Sequence, residues 1–184
     1  MTDTISIPGY RAGTWTVDTA HSEVAFSVRH LMIAKVRGKF EKFEATFVTA
    51  ENPLESSVTA KAEVASVSTN DANRDNHLRT GDFFEAATHP YIEFVSTGVR
   101  IAGNDFKVDG DLTIKGVTKP VTFDFEFAGF QTDPYGNYKA GGTATTKINR
   151  EDWGLTYNSA LEGGGVLIGS EVTITLELEA ALQA

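Results

Sequence analysis

Apolar and polar residues alternate along almost the whole of this chain, and that constrains its fold more than any other feature. Trp15 and Val17 alternate with Thr14, Thr16 and Asp18. Val24, Phe26 and Val28 alternate with Glu23, Ala25, Ser27 and Arg29. The pattern returns at Val58–Val64, Ile92–Phe94, Phe106–Ile114, Val121–Phe127 and Val172–Leu178. A period of two means strands with one wet and one dry face. The spacing of Phe40 and Phe43 shifts the parity within Val36–Val48 and predicts a β-bulge there. Only Asn73–Arg79 reads as helix, capped by Asn70 or Asp71 and ended by Gly81. Ala102–Asp105 and Asp133–Asn137 read as hairpin loops, and Gly116–Pro120 as another tight connection. Gly163–Gly165 lies in a longer loop, Tyr157–Gly165, read as mobile. The Ala-rich end, Glu177–Ala184, either extends the last strand or frays.

The reading is therefore all-β: an antiparallel eight-stranded barrel with one short helix. Strands near ten residues exceed the usual ~5–6. Gly38, Gly110, Gly129, Gly141 and Gly142 sit where closure needs sharp coiling. A two-sheet sandwich is the other arrangement that satisfies the pattern. With 184 residues, one domain is expected: a leader over 1–13 and the barrel over 14–184. A net charge of −9 argues against nucleic acid as a partner. The acidic surface also disfavours general adhesion to anionic membranes. The chain has no cysteine, which excludes a disulfide framework, a thiol nucleophile and a cysteine zinc site. No apolar run approaches the ~18 residues of a membrane span. The first eleven residues lack the apolar core of a signal peptide, so a cytoplasmic location is expected.

Function then depends on what the dry faces enclose. Phe26, Phe40, Phe47, Phe94, Phe123, Phe125 and Phe127 all fall on them. They either fill a core or line an apolar cavity for a hydrocarbon ligand. The histidines, His21, His30, His77 and His89, show no metal-ligand spacing, so no metal is expected. His30 shares the parity of Phe26 and Val28 and points inward. His21 and Ser22 are adjacent on an extended chain and face opposite ways, so they do not form a nucleophile–base pair directly. The polar cluster from Asp71 to Asp82 reads as a solvated lid held by its own charge pairs. Asp109 and Asp111 read as a wet exterior face. Arg150 follows a strand and stands near a barrel mouth, where it binds an anionic head group or holds a loop closed.

Four segments then resemble the YceI-like family of bacterial lipocalin-like proteins. They are Trp15–Asp18 with His21-Ser22 running through Phe26–Leu31 to Val36–Phe40; Asn76–Arg79 with Asp82–Phe84, His89-Pro90 and Ile92–Phe94; Gly110–Val121; and Ile148–Gly154. Trp153 stands where the family pattern often has Phe. The resemblance implies an elongated barrel with a lipid tunnel, commonly a homodimer. It implies no catalytic residues, no metal and no required cofactor, but a bound polyisoprenoid or fatty-acyl-type lipid. The expected function is a soluble carrier or sequestering protein for such a lipid. The expected binding residues are Phe26, Val28, His30, Phe40, Phe94, Leu112, Ile114, Phe123, Phe125, Arg150 and Trp153. His30, Asn149 and Arg150 are the expected head-group contacts, and Asp71–Phe84 or Tyr157–Gly165 the expected gates. Two other functions fit the same barrel. One is an enzyme with His30 or His77 as acid–base group on a lipid-like substrate. The other is an interaction protein with a solid interior.

Overall fold

The alternating segments build one antiparallel sheet that closes on itself, described in a computed structural model over residues 6–159, 161 and 167–184. Its strands are β1 (Gly13–Val17), β2 (Glu23–His30), β3 (Ala34–Phe40), β4 (Phe43–Thr49), β5 (Ser57–Glu63), β6 (Val67–Ser68), β7 (Tyr91–Ala102), β8 (Asp105–Ile114), β9 (Val117–Thr132), β10 (Tyr138–Asn149) and β11 (Ile168–Leu182). One helix, α1 (Ala72–Leu78), lies between β6 and β7. The first six strands form three bent pairs. β1 and β2 follow one another along β11, with Val17 opposite Ala180 and Val24 opposite Leu176. β3 and β4 follow along β2 and β1, and β6 and β5 along β3 and β4. Each bent pair is one stave, and with β7–β11 they make an eight-strand closed barrel. The sandwich is thereby set aside.

The parity shift at Phe40–Phe43 marks a corner and not the expected bulge. Glu41 N–H donates to Ser66 O at 3.1 Å, and Lys42 N–H to Ser66 Oγ at 3.0 Å. These bonds turn β3 into β4 where the neighbouring stave also breaks, at the 3-10 turn Val64–Ser66. The register shifts lie elsewhere, at Ser96/Gly98, Gly141/Gly142 and Ile168/Val172. Gly129, at φ 123°, faces the second of these. The Gly116–Pro120 connection is also shorter than read. The turn is Lys115-Gly116, at φ 50° and 76°. Pro120 sits inside β9 opposite Asp111. Pairing of β9 with β10 starts only at Asp124, so at Pro120 that side of β9 requires no donor.

The hairpins Ala102–Asp105 and Asp133–Asn137 form as read, and β11 extends to Leu182. Asp71 caps α1, its side chain accepting from Arg74 N–H at 3.1 Å. The segment after it is less solvated than its composition suggests. Asp75 is buried and accepts from Thr69 N–H at 2.8 Å and Thr69 Oγ at 2.6 Å. Asp109 faces outward as expected, gripped by Arg100 at 2.7 and 2.8 Å. That guanidinium, with the Thr122 hydroxyl, holds its carboxyl well below the usual range.

Strand directions give the barrel two distinct ends. His30, Ala34, Ile114, Val117, Asn149 and Ile168 terminate their strands at the end that carries α1. Here Phe83, Leu112, Ile114, Ile148, Trp153 and Leu155 pack into one buried core. The leader segment packs at the other end, where Tyr10 donates to Ala50 O and Tyr138 donates to Gly9 O, both at 2.5 Å.

Candidate functional site

Inward-facing positions of an eight-strand barrel meet across a space only wide enough for packed side chains or one small ligand. Here they do not fill it. A cavity of about 600 Å³ runs through the interior, bordered by Tyr10, Trp15 and Phe130 towards the leader end and by His77, Phe83 and Tyr157 towards the α1 end. The seven phenylalanines read as inward all border it: Phe26, Phe40, Phe47, Phe94, Phe123, Phe125 and Phe127. The rings support one another. Phe94 meets Phe123 edge to face at 5.2 Å, and Phe40 touches Phe26 at 5.6 Å and Phe84 at 5.9 Å. Phe127 and Phe130 lie 4.9 Å apart, and Trp15 continues the row at 5.8 Å from Phe130. Rings braced in this way hold their positions around an opening that flexible aliphatic chains would fill.

Of the eleven residues singled out in the sequence, the structure places ten on the cavity: Phe26, Val28, His30, Phe40, Phe94, Leu112, Ile114, Phe123, Phe125 and Arg150. Trp153 is not among them, which corrects its assignment. Its indole is only 3% exposed and donates from Nε1 to Leu112 O at 2.9 Å, so it belongs to the core behind the lining. Asn149 is also off the cavity. Its side chain accepts from Glu151 N–H at 3.0 Å and caps the 3-10 turn Arg150–Trp153.

At the α1 end His30, Arg74, His77 and Arg150 border the cavity, while Tyr10, Thr49 and Ser56 border it near the leader. Arg150 is 4% exposed. Its guanidinium donates to Gly169 O at 2.9 Å, Ile168 O at 3.4 Å and Leu155 O. Burial pushes its pKa down from the ordinary arginine range. It therefore ties the Leu155 and Ile168–Gly169 backbones together. His77 Nε2 lies 2.8 Å from Asp82 Oδ2, and its ring stands edge-on to Phe83 at 5.0 Å and to Tyr157 at 4.9 Å.

The sequence reading missed Leu78, Phe83, Phe84 and Tyr157 as lining. The signal was present in Phe83-Phe84, an apolar pair inside an otherwise polar stretch. It also missed that residues 6–13, read as a leader, supply Ile7 and Tyr10 to the cavity wall. Of the Tyr157–Gly165 gate, residues 160 and 162–165 lie outside the described residues, as do residues 1–5 and 166.

Asp18, His21 and Glu179 bring three ligand-type atoms within 4.8 Å on the barrel exterior. The cation there is the Lys139 ammonium, 2.8 Å from Asp18 Oδ2 and 3.8 Å from Glu179 Oε2.

Comparison with known proteins agrees with this architecture. A Staphylococcus aureus UPF0312 protein (strain MSSA476) is 41% identical over 170 residues, covering 90% of this chain and 95% of its own. The crystal structure of Burkholderia cenocepacia BcnA superposes with a TM-score of 0.75 at 26% identity, over 89% of this chain and 98% of that one. A structure described as a polyisoprenoid binding domain from Saccharophagus degradans shares the fold, with a TM-score of 0.71 at 14% identity, over 94% and 100% of the two chains. Residues 15–180 match the YceI-like domain, and the chain belongs to the YceI-like family.

Proposed function

We propose that the protein carries or sequesters a long-chain amphiphilic lipid of polyisoprenoid or acyl type inside the barrel. The observation that carries this reading is the apolar cavity of about 600 Å³ walled by braced phenyl rings. Each buried CH₂ contributes roughly 0.8 kcal/mol, so an extended tail supplies most of its own affinity. The imidazole and guanidinium groups at the α1 end give the ligand a direction. The tail lies among the phenylalanines and the head group sits near His30, Arg74 and Arg150. The Saccharophagus domain, described as binding polyisoprenoid, supports the same class of ligand. Assembly as a homodimer and a cytoplasmic location belong to the same proposal.

Trp15 borders the cavity and Trp153 does not, which makes the intrinsic fluorescence a reporter. Titration with a long-chain prenyl alcohol and, separately, a long-chain fatty acid shifts the Trp15 emission to saturation. In Trp15→Phe the signal disappears, while bound lipid is still recovered by extraction. Failure of both lipids to bind at any excess contradicts the proposal.

A second reading, acid–base catalysis on a lipid-like substrate, has one observation in its favour, the His77–Asp82 contact at 2.8 Å beside the cavity. Conversion of a bound lipid that stops in His77→Gln while uptake persists would establish it.

A further inference from the structure

The turn between β2 and β3 holds large apolar side chains in water on a strained backbone. Leu31 and Met32 have φ of 54° and 61°, the left-handed pair of a type I′ turn that favours Asn and Gly. Leu31, Met32 and Ile33 are nevertheless 39%, 52% and 81% exposed. Four cations flank this tip on the outer face of the hairpin: Arg29, Lys35, Arg37 and Lys39, all exposed. Arg29 stands directly opposite Lys35, a like-charge pairing that destabilises a ladder when nothing neutralises it. Among the described residues none of the four forms an ion pair, a state they share with Lys42, Lys115 and Lys119. No acid occurs between Arg29 and Lys39, in a chain whose net charge is −9.

We propose that this hairpin docks the protein onto an anionic lipid bilayer. Leu31, Met32 and Ile33 enter the interfacial region, and the four cations lie against lipid phosphates. Apolar insertion combined with local positive charge is the combination that gives reversible attachment. The charge complementarity is local, so the acidic remainder of the barrel faces away from the bilayer. The hairpin lies at the barrel end that holds His30, Arg74 and Arg150. Docking sets that end, with its imidazole and guanidinium groups, against the membrane. That these groups serve a lipid head group rests on the lipid-carrier reading; docking itself does not.

Co-sedimentation with vesicles tests it. The protein is expected to bind vesicles of phosphatidylcholine mixed with phosphatidylglycerol, and to bind phosphatidylcholine vesicles weakly. Added salt should release it. Ile33→Ser lowers the partition coefficient about tenfold, and Lys35→Glu with Arg37→Glu lowers it by a similar order. Leu31→Asn with Met32→Gly relaxes the turn, so it raises the melting temperature while weakening vesicle binding. Prenyl-lipid uptake from solution stays intact in all these variants, because none of the substituted residues borders the cavity. Absence of binding to the mixed vesicles overturns the proposal, as does binding that none of the variants changes. So does a tip that pairs with a second copy instead, seen as a dimer that Ile33→Ser dissociates without any vesicle binding in the parent.

Discussion

The ring of Phe26 occupies the space that a side chain at Gly38 would fill. The two residues are opposite one another on β2 and β3. A Cβ built on Gly38 would come 2.8 Å from Phe26 Cε1 and 2.9 Å from Thr69 Cγ2. The ring of Phe94 uses Gly110 in the same way, and that of Phe125 uses Gly142. Each glycine lets a phenyl ring lie against the barrel wall, which leaves the centre open. Gly38→Ala is expected to destabilise by about 1–3 kcal/mol through overpacking and to lower lipid capacity by pushing the ring inward. Thermal unfolding and stoichiometric lipid titration measure the two effects. Gly81, with nothing within 4 Å of its position, provides the control: Gly81→Ala should change stability by less than about 0.5 kcal/mol.

Trp153 and Phe125 separate core from lining. Trp153→Phe removes the indole hydrogen bond to Leu112 O, whose net contribution is about 0.5–1.5 kcal/mol. Lipid uptake should stay unchanged. Phe125→Ser puts a hydroxyl on the cavity wall, and uptake should fall with the barrel still folded. Denaturant melts paired with lipid titrations of both variants give the comparison.

Arg150 acts through the three carbonyls it holds. A lysine ammonium lacks the planar fork needed to reach them together. Arg150→Lys is expected to speed amide exchange at Leu155 and around Ile168–Gly169 and to leave the β7–β8 ladder protected. Uniform exchange rates across the chain would show that the guanidinium does not tie these backbones.

The corner between β1 and β2 contributes a pH response from both limbs. Lys139, and then His21, hold the Asp18 carboxyl well below its ordinary value of 3.8. Asp18, with Glu179 beside it, raises His21 above its ordinary 6.5. A depressed carboxylate stabilises the fold above 3.8, and that contribution is lost as pH falls below it. A raised histidine stabilises it below 6.5, and that contribution is lost as pH climbs through the raised value. The cluster therefore contributes most between these two ordinary values. Asp18→Asn should flatten the acid limb of a melting-temperature profile and bring the His21 titration, followed by NMR, down towards its ordinary value.

Much of this was legible because strand parity is a local property. Val24, Phe26 and Val28 point inward whatever their partners are, so the nine candidate residues that lie on strands could be placed on the cavity from spacing alone, and Arg150 only by its position after a strand. Trp153 could not, because it sits on a 3-10 turn where period two says nothing about direction. The Phe40–Phe43 corner reads like a bulge in sequence, since both shift parity. What separates them is Ser66, which is remote in the chain and bonds to both Glu41 and Lys42. The glycine–phenylalanine seats were hidden for the same reason. Gly110 looks like a coiling residue until Phe94, on the neighbouring strand, is seen to lie over it.

The central claim is that the barrel encloses a lipid, and native mass spectrometry of protein purified without detergent tests it most directly. The account predicts a species heavier than the bare chain of 19.9 kDa by one long-chain lipid, which organic extraction releases and identifies. Protein found only at the bare mass, which stays there after incubation with excess prenyl and acyl lipids, would contradict it.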